Sequence, residues 1–233
     1  MNMSKMDRGD KVRKIREDID ELGLRSAKSK DYWGTYRYNA REYVAGVFAT
    51  FANEFPDAEK SLKALFAEKH AEGKLVFVAD ICGIADAKSL GADHTYCLTR
   101  RLKSALPLRT ESRTIFERDI FRPTALKSML AEFKEIGSGP SCIFFMPVGG
   151  LLGVPAETRR TAMSVLARHF DKLYEVLEPG GHMYMQRIPF FVHTWEQDEF
   201  IQHVLGKQNV RVDEGERGQS LRIIKEGPKR QEN

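Results

Sequence analysis

The sequence has little cysteine. Its three residues of this type, Cys82, Cys97 and Cys142, are odd in number, far apart and set in apolar stretches. That spacing argues against a disulfide framework or a zinc site, so no metal is expected, and the expected compartment is a reducing cytoplasm. No apolar run is long enough to span a bilayer. Met1 to Arg13 is polar and charged, without the apolar core of a signal peptide. A strong excess of one charge is also missing: Lys+Arg number 37 against Asp+Glu 33, a net charge of +4. A dedicated nucleic-acid binder carries a denser basic stripe. Arg100-Arg101 and Lys229-Arg230 therefore read first as a solvated loop and tail, and a nucleic-acid partner has no strong basic patch to support it. Several signatures of chemistry are absent. There is no His-Glu-x-x-His, no Cys-x-x-Cys, no Gly-x-Ser-x-Gly and no Gly-Lys-Ser/Thr phosphate loop.

What is present is a globular composition, 42% apolar and 30% charged over 233 residues, enough to bury one substantial core with an appendage. The first 72 residues read as a helical cap segment. Val12, Ile15, Ile19 and Leu22 recur at helical spacing before Gly23. Tyr43, Val44, Val47, Phe48, Phe51 and Phe55 suggest a second helix, broken at Pro56. Asp57 can cap a third, which buries Leu62, Leu65 and Phe66. Between the first two lies an aromatic cluster that includes Tyr32, Trp33, Tyr36 and Tyr38.

From residue 73 to 227 the pattern changes to strands alternating with helices, and residues 228–233 read as a polar tail. Strands are predicted at Lys74–Asp80, His94–Thr99, Arg113–Glu117, Ser141–Met146 and His182–Gln186. Continuous apolar runs of this kind are buried on both faces of a parallel sheet. Ala162, Val165, Leu166, His169, Phe170, Leu173, Val176 and Leu177 mark one face of a long helix that stops at Pro179-Gly180-Gly181. His169, on that apolar face, is most simply a core residue. Trp195–Leu205 reads as another helix. Val210–Val212 and Leu221–Ile224 are strands joined by a link too short for a crossover, so they pair antiparallel.

This order of elements resembles the class I S-adenosylmethionine (SAM) methyltransferases over roughly residues 74–225. The likeness is strongest at Tyr174 to Met185, where a helix ends in Leu-Glu-Pro-Gly-Gly and runs into a strand. The resemblance implies a doubly wound α/β fold with a seven-stranded, mostly parallel sheet, a terminal antiparallel strand, and S-adenosyl-L-methionine as cofactor. It implies a cofactor contact at Asp80, where the first strand ends, with the small residues Cys82, Gly83 and Ala85 in the following turn. The family's usual two or three glycines are here reduced to one. Thr99 stands where the family often has an acid for the ribose hydroxyls. Asp119 and Ile120 match an adenine-binding pair, with a helix-capping role for Asp119 as the alternative. Met146 and Pro147 end the fourth strand and face donor and acceptor. Tyr32, Trp33, Tyr36 and Trp195 are candidate substrate contacts. His193 is the one weak candidate for a catalytic base, since methyl transfer needs alignment more than a base. A small-molecule acceptor is expected, and a homodimer is compatible with the sequence. Two rivals stand beside an active methyltransferase. One is an inactive relative serving as an interaction or scaffold subunit. The other is a nicotinamide-dependent oxidoreductase, disfavoured by the missing Gly-x-Gly-x-x-Gly.

Overall fold

The structure, a computed structural model, describes residues 54–83, 86–99, 107–145, 156–186, 195–207, 209–216 and 220–227, apart from the side chains of 156–159, 186, 195–198 and 200. Helix α1 (Ala58–Ala71) leads into strand β1 (Phe77–Ile81). A 3-10 turn (Ala87–Leu90) connects to β2 (His94–Thr99), and β3 (Arg113–Glu117) follows. Next come α2 (Lys127–Ile136), β4 (Cys142–Phe145), α3 (Ala156–Val176) and β5 (His182–Gln186). The described chain closes with α4 (Trp195–Leu205), β6 (Val210–Glu214) and β7 (Ser220–Lys225).

The seven strands form one sheet in the order β3-β2-β1-β4-β5-β7-β6. Strands β1 to β5 are mutually parallel. β7 is antiparallel to both β5 and β6, so β6 runs with the others. The last described strand is thus the antiparallel one, as expected, but it is inserted inside the sheet rather than laid along its edge.

Alternation along β1 divides the core. Phe77, Ala79 and Ile81 join a cluster with Met129 and Phe133 of α2 and Leu166, Phe170 and Leu173 of α3. Val78 points the other way, into a cluster with Leu62 and Phe66 of α1, Cys142 and Phe144 of β4, and Tyr184 of β5. Both faces are covered, which is why these strands read as unbroken apolar runs. The third helix expected in the N-terminal segment is therefore packed on the sheet itself. Arg222 of β7 fastens its start, reaching Asp57 at 2.7 Å and Asp213 at 2.9 Å and lying 5.1 Å over the Phe55 ring. The first two expected helices lie outside the described residues.

β1 starts three residues later than Lys74, for a local reason. The Val76 N–H donates to the Asp93 carboxylate at 2.7 Å, and the Asp93 N–H donates to the Val76 carbonyl at 2.9 Å. A side chain takes the place of a strand partner there. His169 is a core residue, 1% exposed, donating from Nε2 to the Arg122 carbonyl at 2.9 Å.

At the amino edge of the sheet, Glu178 accepts from Lys69 (2.9 Å), Ser138 (2.8 Å) and Ser141 (2.9 Å), tying α1, the α2–β4 connection and the Pro179 turn together. Burial pushes its carboxyl up, but these three donors outweigh burial and hold it below its usual 4.5. His182 is pushed down from 6.5 to about 4, chiefly by burial and then by the charges of Arg222 and Arg211. Both groups have depressed folded values. Their stabilising contributions are present above the unfolded values and are lost as pH falls. Stability against urea is therefore expected to decline on acidification from pH 6.5 toward 4 through His182, and further below 4.5 through Glu178. His182→Gln should flatten the upper part of that decline, and an unchanged profile refutes the assignment.

Candidate cofactor edge of the sheet

The strand order reverses direction between β1 and β4, which grow outward into β2-β3 on one side and β5 on the other. In open α/β sheets a ligand lies beyond the carboxyl ends of the strands at such a switch point. The described residues at that end are the close of β1 with Cys82 and Gly83, Thr99 of β2, Glu117 of β3 with Asp119 after it, and Phe145 of β4.

Asp80 is fully buried, at 0% exposure, on the α1 face of β1. In register it lies between Cys97 of β2 and Phe144 of β4. The thiols of Cys97 and Cys142 are pushed well up, first by burial and then by the Asp80 charge, so both stay protonated and inert. None of the three cysteines is in a disulfide.

The chain leaves β1 through a left-handed residue, Cys82 at φ +73. Its N–H still donates to the Leu98 carbonyl at 2.7 Å, so the turn is held to β2. Gly83 then folds back over Asp80, and a Cβ there lands on the Asp80 carboxylate. The single glycine of this turn is thus required by the buried acid beneath it. Left-handed geometry costs a non-glycine residue about 1–2 kcal/mol. Cys82→Gly is expected to raise stability by about 1 kcal/mol in urea unfolding, and Cys82→Ala to give no gain. A destabilised Cys82→Gly variant counts against strain at this position.

Thr99 ends β2 at 8% exposure, its carbonyl accepting from the Arg118 N–H at 2.7 Å. Its register partner is Glu117, an exposed acidic residue on the neighbouring strand β3. Glu117 was not among the expected site residues. The signal for it was available, because it is an acid ending a predicted strand, as Asp80 is. Asp119 Oδ1 accepts from the Phe121 N–H at 3.0 Å, and Ile120 is buried in the core at 7% exposure. The Asp119 carboxylate is therefore engaged in shaping the turn that precedes α2, close to its capping alternative.

The structure brings Asp80, Cys82, Gly83 and Thr99 together and sets Asp119 and Ile120 just beyond β3. Ala85, Met146, Pro147, His193, Tyr32, Trp33 and Tyr36 lie outside the described residues. Trp195 opens α4, with its side chain outside them.

The seven-stranded order with its single antiparallel strand is decisive for architecture. It is the doubly wound α/β sheet that the resemblance to the class I methyltransferases implies. No protein-family model and no curated protein matches the chain. Among solved structures it is similar to the MycE methyltransferase of the mycinamycin biosynthetic pathway, in complex with Mg and S-adenosylhomocysteine (SAH). The identity is 11%, covering 85% of this chain and 51% of that one, with a TM-score of 0.41. This chain thus spans about half the length of MycE. It is also similar to an O-methyltransferase from Bacillus cereus in complex with SAH, at 13% identity over 89% of this chain and 100% of that one, TM-score 0.42. A third is the N-methyltransferase NodS from Bradyrhizobium japonicum, at 13% identity over 75% and 99%, TM-score 0.35. Among the described residues no helix is long and apolar enough to cross a membrane.

Proposed function

We propose that the chain is a SAM-dependent methyltransferase acting on a small molecule, with the cofactor over the carboxyl ends of β1 and β2. The observation that carries this reading is the tight turn that leaves the central strand through left-handed Cys82, beside the switch point. Side chains there are small, and Cys82 is only half-buried, so the turn keeps some surface at the carboxyl end of the sheet. The donor set fits in part. Thr99 offers only a hydroxyl, and Glu117 supplies a carboxylate beside it for a diol. The enclosed Asp80 acts through Gly83: it is a positioning residue that fixes the turn. When bound, SAM supplies a methyl group on a sulfonium. The chain's own part is to hold donor and acceptor in line, for which no base is required. His193, the weak candidate for a base, belongs to this proposal, as do Ala85, Met146, Pro147, Tyr32, Trp33, Tyr36 and Trp195.

One observation favours a second reading, a methyltransferase fold that serves as an interaction subunit. Asp80, which the resemblance makes a cofactor contact, is wholly enclosed. Calorimetric titration of the full chain separates the two. Micromolar binding of SAM and SAH, with no binding of NAD(P), is expected. No heat from either adenosyl ligand overturns the methyltransferase reading and leaves the interaction subunit. Glu117→Gln is expected to weaken SAH binding about tenfold, the loss of one charged hydrogen bond.

A further inference from the structure

The two edges of the sheet are treated differently. The β3 edge is covered by the chain's own residues: Thr110 donates to the Arg113 carbonyl at 2.7 Å, and Ile115 donates to the Leu108 carbonyl at 2.6 Å. The opposite edge is β6, which has β7 on its inner side. Among the described residues no backbone bond from outside the hairpin reaches Val210 or Val212.

The hydrogen-bond phase of the hairpin says which groups β6 presents outward. Gly215 donates to the Ser220 carbonyl at 2.9 Å, and Glu226 donates to the Asn209 carbonyl at 2.8 Å. Bonded pairs in an antiparallel ladder recur every second residue. Arg211 and Asp213 therefore bond to β7, and the N–H and C=O of Val212 point away from the sheet. The side chains sort the other way. Val210 and Val212 extend the apolar core on one face. Arg211 and Asp213 stand on the face of Arg222, which draws Asp213 to 2.9 Å, with Arg211 at 3.5 Å from the same carboxylate.

We propose that β6 pairs with β6 of a second copy of this chain, antiparallel and centred on Val212, joining two sheets across a two-fold axis. Only this register makes the strand complementary to itself. The two Val212 residues face each other as a bonded pair, their side chains in contact on the apolar face. Each Arg211 then lies opposite the Asp213 of the other copy, so the two charge pairs flank the axis symmetrically. Slipping the register by two residues loses the central valine pair and both charge pairs together. Between the Arg211 and Asp213 of one copy the separation is already near the limit of an ion pair, so the second copy supplies a partner across the strand, where opposite charges favour pairing. A two-fold contact of this kind is closed and stops at two copies, and strand addition to an open edge draws its affinity from main-chain bonds. The inference is independent of the methyltransferase reading.

Sedimentation velocity on the full chain tests it, with two variants. Val212→Pro removes the outward N–H. Because that group makes no bond to β7, the fold tolerates proline there. Arg211→Asp places like charges opposite each other twice and leaves the hairpin's backbone bonds in place. The wild type is expected to dimerise at tens of micromolar, Val212→Pro to sediment as a monomer with an unchanged circular dichroism spectrum, and Arg211→Asp to dimerise about tenfold more weakly. A wild type that stays monomeric at about 100 micromolar overturns the proposal. So does a dimer that survives Val212→Pro. Should Val212→Pro lose its fold, Arg211→Asp decides, and undiminished dimerisation of that variant overturns the proposal.

Discussion

Gly83→Ala is expected to destabilise the protein by about 3 kcal/mol or more and to weaken SAH binding at least about tenfold. The added methyl lands on the carboxylate of Asp80. Neither side has room to give. Asp80 has no exposed surface and is flanked in register by Cys97 and Phe144, while the turn is held by the Cys82 bond to Leu98. Moving the carboxylate sideways drives a charge toward apolar neighbours, which costs several kcal/mol unless it is repaired by new hydrogen bonds. Moving the turn breaks its tie to β2. The effect should be non-additive: in an Asp80→Ala background the same glycine change is expected to cost markedly less, because the obstacle is gone. Additive losses in urea unfolding of the two single variants and the double variant sink this account of the glycine.

Phe66→Ala is expected to cost about 3–5 kcal/mol, the range for emptying an aromatic site in a packed core. Phe66 is 1% exposed and belongs to the cluster of Val78, Phe144 and Tyr184. Its helix packs on that face of the central strands together with Ala87, Leu90 and Ala92. Were α1 merely an appendage, the loss would stay below about 1 kcal/mol, as at surface sites. Circular dichroism against urea reads the difference directly. A small loss, or a separate early transition confined to the helix, refutes the packing described for this face.

These two residues also mark how far the sequence could be read. The strands were legible because Phe77–Ile81 and Cys142–Phe145 are buried on both faces, and that burial appears as unbroken apolar runs. The long α3 was legible because one stripe, from Ala162 to Leu173, faces the core. What periodicity does not carry is the address of a stripe. Leu62 and Phe66 announce a helix with one buried side, but nothing in their spacing says that the sheet is what buries them. The same holds for Asp80. An acid ending an apolar strand reads equally as a displayed ligand contact or as an enclosed group, and only the backbone path of Gly83 distinguishes the two. Glu117 is visible in the sequence as an acid that ends a strand, but its pairing with Thr99 is a matter of register between strands, which a single chain does not spell out. The sequence admits two roles for Asp119, and local hydrogen bonding to Phe121 engages it in the nearby turn.

The insertion of β7 between β5 and β6 has a consequence for synthesis. A chain emerging from the ribosome can assemble β1 to β5 as it grows, but β6 appears before the strand that must lie beneath it. Until Ser220–Lys225 has been made, β5 ends in a raw border and β6 has nothing to hold. A message cut short just ahead of that final strand therefore yields a polypeptide with most of its helices and a sticky flank, a species for chaperones and proteases to remove.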